Sequence, residues 1–215
     1  MKPKKYELII FDWDGTIIDS QAHIISCMQK ALADENLPIP QDDEISHVIG
    51  LSLDNVILSL VPELDRTAVN RISENYRRHF FADTSQSVLF DGVAETIQDL
   101  HASGYFLAVA TGKGRRGLDL ALKDTGLEPF FHITRCADET RSKPDPLMLD
   151  EILTDLDLVA DRAIMVGDTS YDLDMASNIK MDSIAVTYGM HDVEHLKTSN
   201  PTYLIDSIDQ LSQYV

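Results

Sequence analysis

The sequence predicts an α/β fold, a doubly wound parallel sheet with an inserted block of helices, and three observations lead there. Six short β-rich runs alternate with helical segments, the pattern of strands linked by covering helices. After the first run, a stretch of about 70 residues offers helices and no convincing strand, too long for an ordinary crossover. That first run also ends in two carboxylates one residue apart, Asp12 and Asp14.

The first predicted strand is Tyr6 to Phe11, and it leads into Phe11-Asp12-Trp13-Asp14-Gly15-Thr16. A spacing of two projects Asp12 and Asp14 to the same side of an extended chain, and Gly15 permits a sharp turn directly afterwards. Two close anions need a cation or a shared proton. A divalent metal beside a nucleophilic carboxylate meets that need and leaves the second carboxyl free to carry a proton. An acidic glycine turn after a strand is the plainer reading of the hexapeptide alone, and three later segments decide against it.

Between Ile17 and Val88 the periodicity predicts helices near Ala22 to Asp34, Asp42 to Ile49, Asp54 to Leu60 and Thr67 to Phe81, punctuated by Pro38, Pro40, Gly50 and Pro62. Both ends of this block leave the sheet near Asp12 and Asp14, so it reads as a hinged helical lid over a strand-end crevice. The expected division is a core of residues 1–16 and 89–215 and a cap of residues 17–88. The remaining strands are expected at Tyr105 to Ala110, Phe130 to Thr134, Ala163 to Val166, Ser183 to Val186 and Tyr203 to Ile205. Covering helices are expected over Gly92 to Ser103, Gly117 to Thr125, Pro146 to Leu156, Asp172 to Lys180 and Ser207 to Tyr214.

Three segments after the cap carry chemistry. Thr111-Gly112-Lys113-Gly114-Arg115-Arg116-Gly117 follows a strand, and its hydroxyl and glycine amide suit phosphate oxygens. Gly112, Gly114 and Gly117 also spell GxGxxG, with Asp138 about twenty residues on, as a dinucleotide fingerprint requires. That alternative leaves the first strand's carboxylate pair without a role. A Walker A loop is excluded, because Gly114 stands where a metal-binding Ser or Thr is needed. In Ser142-Lys143-Pro144-Asp145-Pro146, Pro144 biases Lys143 toward an extended backbone, and Asp145 and Pro146 suit an N-cap and first helical residue. A solvated lysine is the ordinary expectation, but carboxylates beside a phosphate need a fixed cation. In Val166-Gly167-Asp168-Thr169-Ser170-Tyr171-Asp172, Asp168 at a strand end and Asp172 near a helix start suit Mg²⁺, which takes oxygen ligands.

In order, Asp12-x-Asp14-Gly15-Thr16, Thr111, Lys143-Pro144 and Gly167-Asp168-x-x-x-Asp172 resemble the four motifs of the haloacid dehalogenase superfamily of phosphohydrolases. The helical block after the first motif looks like that family's C1 cap, nearest the phosphoglycolate phosphatase branch, on a Rossmann-like core. The resemblance implies a Mg²⁺-dependent hydrolase of a small phosphorylated metabolite. It makes Asp12 the nucleophile that becomes an aspartyl phosphate and Asp14 the acid, then base, at the leaving oxygen. Trp13, Thr111, Gly112 and Lys143 would bind phosphate, and Asp12, Asp14 (through its backbone carbonyl), Asp168 and Asp172 would hold the metal. In the cap, the turn Gly50-Leu51-Ser52 is the candidate for substrate selection; Arg77 and Arg78 read more simply as helix surface. Trp13 is bulkier than the family's usual residue there and is expected to narrow the pocket, and Asp91 replaces a frequent proline near the hinge. A carboxylate at Asp14 favours phosphoryl transfer over halide displacement or phosphonate cleavage. A phosphosugar mutase of the same fold, a dinucleotide-binding protein and a non-catalytic regulator are the alternatives; a receiver-like signalling domain shares the Asp, Thr and Lys set but has no cap.

Composition narrows the partners. Eighteen basic against thirty-six acidic residues give a formal charge of −18, which disfavours nucleic acid and anionic membranes. The basic Met1-Lys2-Pro3-Lys4-Lys5 precedes an apolar stretch too short for a signal peptide, and no window reaches a membrane span, so a cytoplasmic protein is expected, a monomer or weak dimer. Cys27 and Cys136 have no CxxC spacing and read as buried thiols, and the seven histidines show no HExxH or similar ligand pair, with His23, His79 and His101 reading as helix residues.

Overall fold

The computed structural model describes residues 5–82 and 88–215. The basic Met1 to Lys4 and residues 83–87 of the expected cap lie outside the described residues. Six parallel strands, β1 (Leu8–Phe11), β2 (Phe106–Thr111), β3 (Ile133–Cys136), β4 (Ala163–Gly167), β5 (Asp182–Val186) and β6 (Tyr203–Ile205), lie in the order β3-β2-β1-β4-β5-β6. The chain winds outward from β1 in both directions. β1 therefore borders the point where the winding reverses, and the crevice at the strands' carboxyl ends opens between β1 and β4.

Alternation along the strands splits the core into two layers. Ile9, Phe11, Leu107, Val109, Ile164 and Val166 face α5 (Val93–Ala102) and α6 (Arg115–Thr125). Leu8, Ile10, Ala108, Ala110 and Met165 face α7 (Leu147–Asp155) and α8 (Ser170–Ser177). All these strand residues are fully buried, so the central strands read as near-continuous apolar runs, as parallel strands covered on both faces do.

The block after β1 is helical throughout its described part: α1 (Gln21–Asp34), α2 (Asp42–Val48), α3 (Leu53–Leu60) and α4 (Arg66–Ala82). Met28, Leu32, Ile45, Ile57 and Ile72 are fully buried in a cluster of their own, separate from both layers of the sheet. Its two connections to the sheet run side by side: Ile18 bridges Leu89, Asp19 N–H donates to Val88 O at 2.8 Å, and Phe90 N–H donates to Ile17 O at 3.2 Å.

Three expectations are corrected. Phe130 lies in a 3₁₀ turn (Glu128–Phe130) with Pro129 inside it, so β3 starts at Ile133. The predicted last helix is a 3₁₀ segment, Ile208–Gln213. An additional helix, α9 (Val193–Thr198), is capped by Asp192, whose carboxylate accepts from His195 N–H at 2.9 Å. No helix among the described residues is long and apolar enough to cross a membrane.

Candidate active site

Asp12 continues β1, its N–H donating to Val166 O at 2.9 Å, and its carboxylate is 1% exposed. Behind it, Lys143 sits with its side chain wholly buried, Nζ 2.8 Å from Asp12 Oδ1 and donating to Asp172 Oδ1 at 2.5 Å. Neither oxygen of Asp12 accepts a well-formed hydrogen bond. Asp168, at the end of β4, accepts from the Thr16 hydroxyl at 2.7 Å and from Met190 N–H at 2.8 Å. Asp172 is the third residue of α8 and takes part in a capping box, its Oδ2 accepting from the Thr169 N–H at 3.1 Å and hydroxyl at 2.7 Å. Close packing completes the cluster: a Cβ on Gly15 would lie 2.1 Å from Asp168 Oδ2, where φ is already +87°, and one on Gly189 would lie 2.3 Å from Asp168 Cβ.

The charges do not balance. Ligand oxygens of Asp12, Asp168 and Asp172 lie within 4.8 Å of one another, with one ammonium among them. Burial pushes the Asp12 carboxyl well above the ordinary aspartate range, opposed by Lys143 and reinforced by the charges of Asp172 and Asp168. Burial and the Asp172 charge push Asp168 up to about 7. Burial also disfavours the Lys143 ammonium, yet Asp12 and Asp172 outweigh it and hold its pKa above the usual lysine value. A second, divalent cation fits this set, because it would meet three carboxylates and an oxygen of Asp12 that now lacks a partner.

In front of Asp12 and Asp14 lies a cavity of about 390 Å³. Asp14 accepts from the Ser20 hydroxyl at 2.7 Å and from Lys113 Nζ at 2.9 and 3.0 Å. Thr111, at the end of β2, and Gly112 line the same cavity, as do Gly50, Leu51 and Ser52 from the loop between α2 and α3. The loop between α2 and α3 is tied to the loop carrying Lys143, since Ser52 N–H donates to Ser142 Oγ at 2.8 Å. A Cβ on Gly112 would lie 2.5 Å from the carbonyls of both Gly50 and Leu51, so the space a pyrophosphate needs over that glycine is filled by the loop between α2 and α3. Arg77 lines the cavity, whereas Arg78 pairs with Asp34 at 2.6 Å on the surface of the helical block.

The Trp13 side chain does not reach the cavity. Its ring is fully buried in the layer that holds Ile9 and Phe11, edge-on to Phe131 at 6.1 Å between centroids, and it does not line the cavity. The reason is the alternation that brings Asp12 and Asp14 together, which sends the residue between them to the opposite face. The side chain therefore does not narrow the pocket.

Sequence reasoning overlooked two features. Lys113 was legible only as a member of a glycine run, but its ammonium clamps Asp14 and lies 4.8 Å from the centre of the Phe80 ring of α4. His47, His191 and His195 gather between α2 and α9, with ring centroids 4.7 to 5.0 Å apart. The spacing of four between His191 and His195 was the available signal. His191 is a clasp: Nδ1 accepts from Ser170 N–H and Nε2–H donates to His47 O, both at 3.0 Å, and burial lowers its pKa.

The haloacid dehalogenase-like hydrolase family model matches residues 9–186. The probable phosphatase IndB of Dickeya dadantii is 35% identical over 216 residues, 98% of this chain and 92% of its own. The phosphoglycolate phosphatase of Colwellia psychrerythraea is 28% identical over 98% of this chain and 97% of its own length. The crystal structure of a predicted phosphoglycolate phosphatase from Haemophilus somnus shares the fold with a TM-score of 0.88 over 98% of each chain, at 23% identity.

Proposed function

The chain belongs to the haloacid dehalogenase-like hydrolase family and is a phosphatase, and from that premise we propose that it cleaves a small phosphorylated metabolite through an aspartyl phosphate on Asp12, as a Mg²⁺ enzyme of the phosphoglycolate phosphatase type. One observation carries the reading: a buried strand-end carboxylate with no hydrogen bond of its own, ion-paired to a buried lysine, opens on a cavity beside a second carboxylate.

In the first half-reaction an oxygen of Asp12 attacks phosphorus, the bond from phosphorus to the leaving oxygen breaks, and Asp14 gives that oxygen its proton. Lys113 and Ser20 hold Asp14 at the cavity edge and keep it aimed. In the second half-reaction Asp14 takes a proton from water, the resulting hydroxide attacks phosphorus, and Asp12 is released. Lys143 faces both Asp12 and Asp172 and steadies the negative charge of each step, while Thr111 and the Gly112 amide receive phosphate oxygens. Asp12, Asp168 and Asp172, with the Asp14 carbonyl, would hold Mg²⁺, which when bound neutralises charge on the phosphoryl oxygens. Residues 1–16 and 89–215 form the catalytic core in this reading and residues 17–88 the cap, a division supported by the separate apolar cluster of the helical block and by its paired connections at Ile18 and Leu89.

The test is phosphate release from a panel of phosphorylated metabolites, with Mg²⁺ and with excess chelator. Trapping with labelled substrate is expected to leave a hydroxylamine-labile phosphate on the wild-type chain and none on Asp12→Asn. Equal labelling of the two proteins overturns the assignment of Asp12.

A further inference from the structure

The side of the cavity that receives the leaving group carries a wall of apolar side chains from the helical block. Asp14, which protonates the leaving oxygen in the reading above, marks that side. Around it the cap contributes Ile24, Met28, Tyr76 and Phe80, and Leu53 closes the wall. Phe80 is fixed in direction: its ring stacks on Tyr76 at 5.8 Å and 26°, and its face lies 4.8 Å from Lys113 Nζ, the same ammonium that holds Asp14. A leaving group whose oxygen reaches Asp14 therefore runs its next atoms along Phe80. The nearest cation there, Lys113, is already paired with Asp14, and Arg77 and Arg116 are exposed at the rim, with Arg116 lying over the Phe81 ring at 4.3 Å. A carboxylate one carbon from the leaving oxygen, as in phosphoglycolate, would have to share the Lys113 ammonium with Asp14 and would otherwise lie against apolar side chains, a costly place for an anion. The cavity as a whole, its phosphate end included, holds about 390 Å³, within the range of pockets that enclose a ring-bearing ligand.

We infer that the preferred substrate is a phosphate monoester of an alcohol carrying an apolar, ring-sized body next to the reacting oxygen, with Phe80 as the specificity-determining residue. The inference rests on the phosphatase reading and narrows its substrate.

The experiment compares benzyl, ethyl and glycolyl (phosphoglycolate) phosphates, whose leaving groups are all alkoxides, so that intrinsic reactivity does not mimic recognition. Expected is a kcat/KM for benzyl phosphate at least tenfold above those for ethyl phosphate and phosphoglycolate. Phe80→Leu, which keeps an apolar side chain without a ring, and Phe80→Ala should each reduce the benzyl-to-ethyl ratio at least threefold, with melting curves confirming that both variants fold. Phosphoglycolate turned over as well as or better than benzyl phosphate overturns the inference and leaves the phosphatase reading in place, as does a ratio unmoved in both folded variants. No phosphate release from any of the three esters or the wider metabolite panel removes the phosphatase reading itself.

Discussion

At the residue scale the site is governed by an imbalance, three buried carboxylates around one buried ammonium. Lys143→Ala leaves those carboxylates facing an incoming phosphate dianion with no fixed cation, and loss of one such stabilising group lowers kcat by about 10²- to 10³-fold. Lys143→Arg should not rescue, because a planar guanidinium does not fit where a wholly buried point charge faces Asp12 and Asp172 at once. Steady-state kinetics on both variants check this, and a Lys143→Ala rate within threefold of wild type returns the residue to a structural role. Asp12→Asn keeps shape and removes the proposed nucleophile, for a loss of at least about 10⁴-fold, whereas Asp14→Asn removes the proposed proton carrier of both half-reactions and leaves only the first open to esters whose leaving groups need no protonation. A burst of aryl alcohol with accumulation of phosphoenzyme and little steady turnover from an activated aryl phosphate with Asp14→Asn, and no burst with Asp12→Asn, is the expected signature. Most of these residues were legible in the sequence because acid pairs, a Lys-Pro loop and strand-end aspartates are local patterns. The expectation that the Trp13 ring narrows the pocket fell because the spacing of its neighbours already placed that ring on the opposite face. Lys113 was missed because nothing local announces a partner 99 residues away.

At the scale of elements the helical block and the sheet meet through backbone. The loop after β2 and the loop between α2 and α3 approach so closely that a Cβ on Gly112 would strike two carbonyls at 2.5 Å, and backbone cannot move aside as a flexible side chain does. Gly112→Ala should therefore displace the Gly50-Leu51-Ser52 loop from the cavity, lowering kcat/KM by up to about 10²-fold, the scale of a misplacement of about 1 Å. Its melting temperature should fall by only a few degrees, because neither sheet layer nor the helical cluster is touched. A variant with unaltered kinetics would show that the loop has room to adjust. The elements legible in sequence were those with clear apolar patterning, the strands other than β3, the covering helices α5 to α8 and the four helices after β1. The errors fell where apolar residues follow a turn, as at Pro129 and Phe130, or where a helix is short and polar, as in α9, whose Asp192 cap was its only strong signal. The His47, His191 and His195 clasp joins elements far apart in sequence and was visible only in its local half, the spacing of His191 and His195.

At the scale of the whole molecule the substrate meets opposing fields. A formal charge of −18 repels a phosphate dianion from a distance, while Arg77 and Arg116 at the cavity rim attract it close by. Ionic strength separates the two, because the Debye length shortens from about 30 Å at 0.01 M to about 8 Å at 0.15 M and about 3 Å at 1 M. At low salt the repulsion of the whole surface reaches the approaching ester, at intermediate salt only the rim does, and at high salt neither does. The expected kcat/KM therefore rises by about 2- to 3-fold to a maximum near 0.1 to 0.2 M and then falls, while kcat stays nearly flat once the substrate is bound in the cavity. Arg116→Gln should remove most of the fall at high salt and leave the rise at low salt intact, since the rise belongs to the net charge and the fall to the rim. Measurements in chloride and acetate salts, with Mg²⁺ held constant, separate screening from specific anion binding. A monotonic decline from the lowest salt would show that the rim field dominates at every distance, and with it that the acidity of this chain does not impede entry of its substrate.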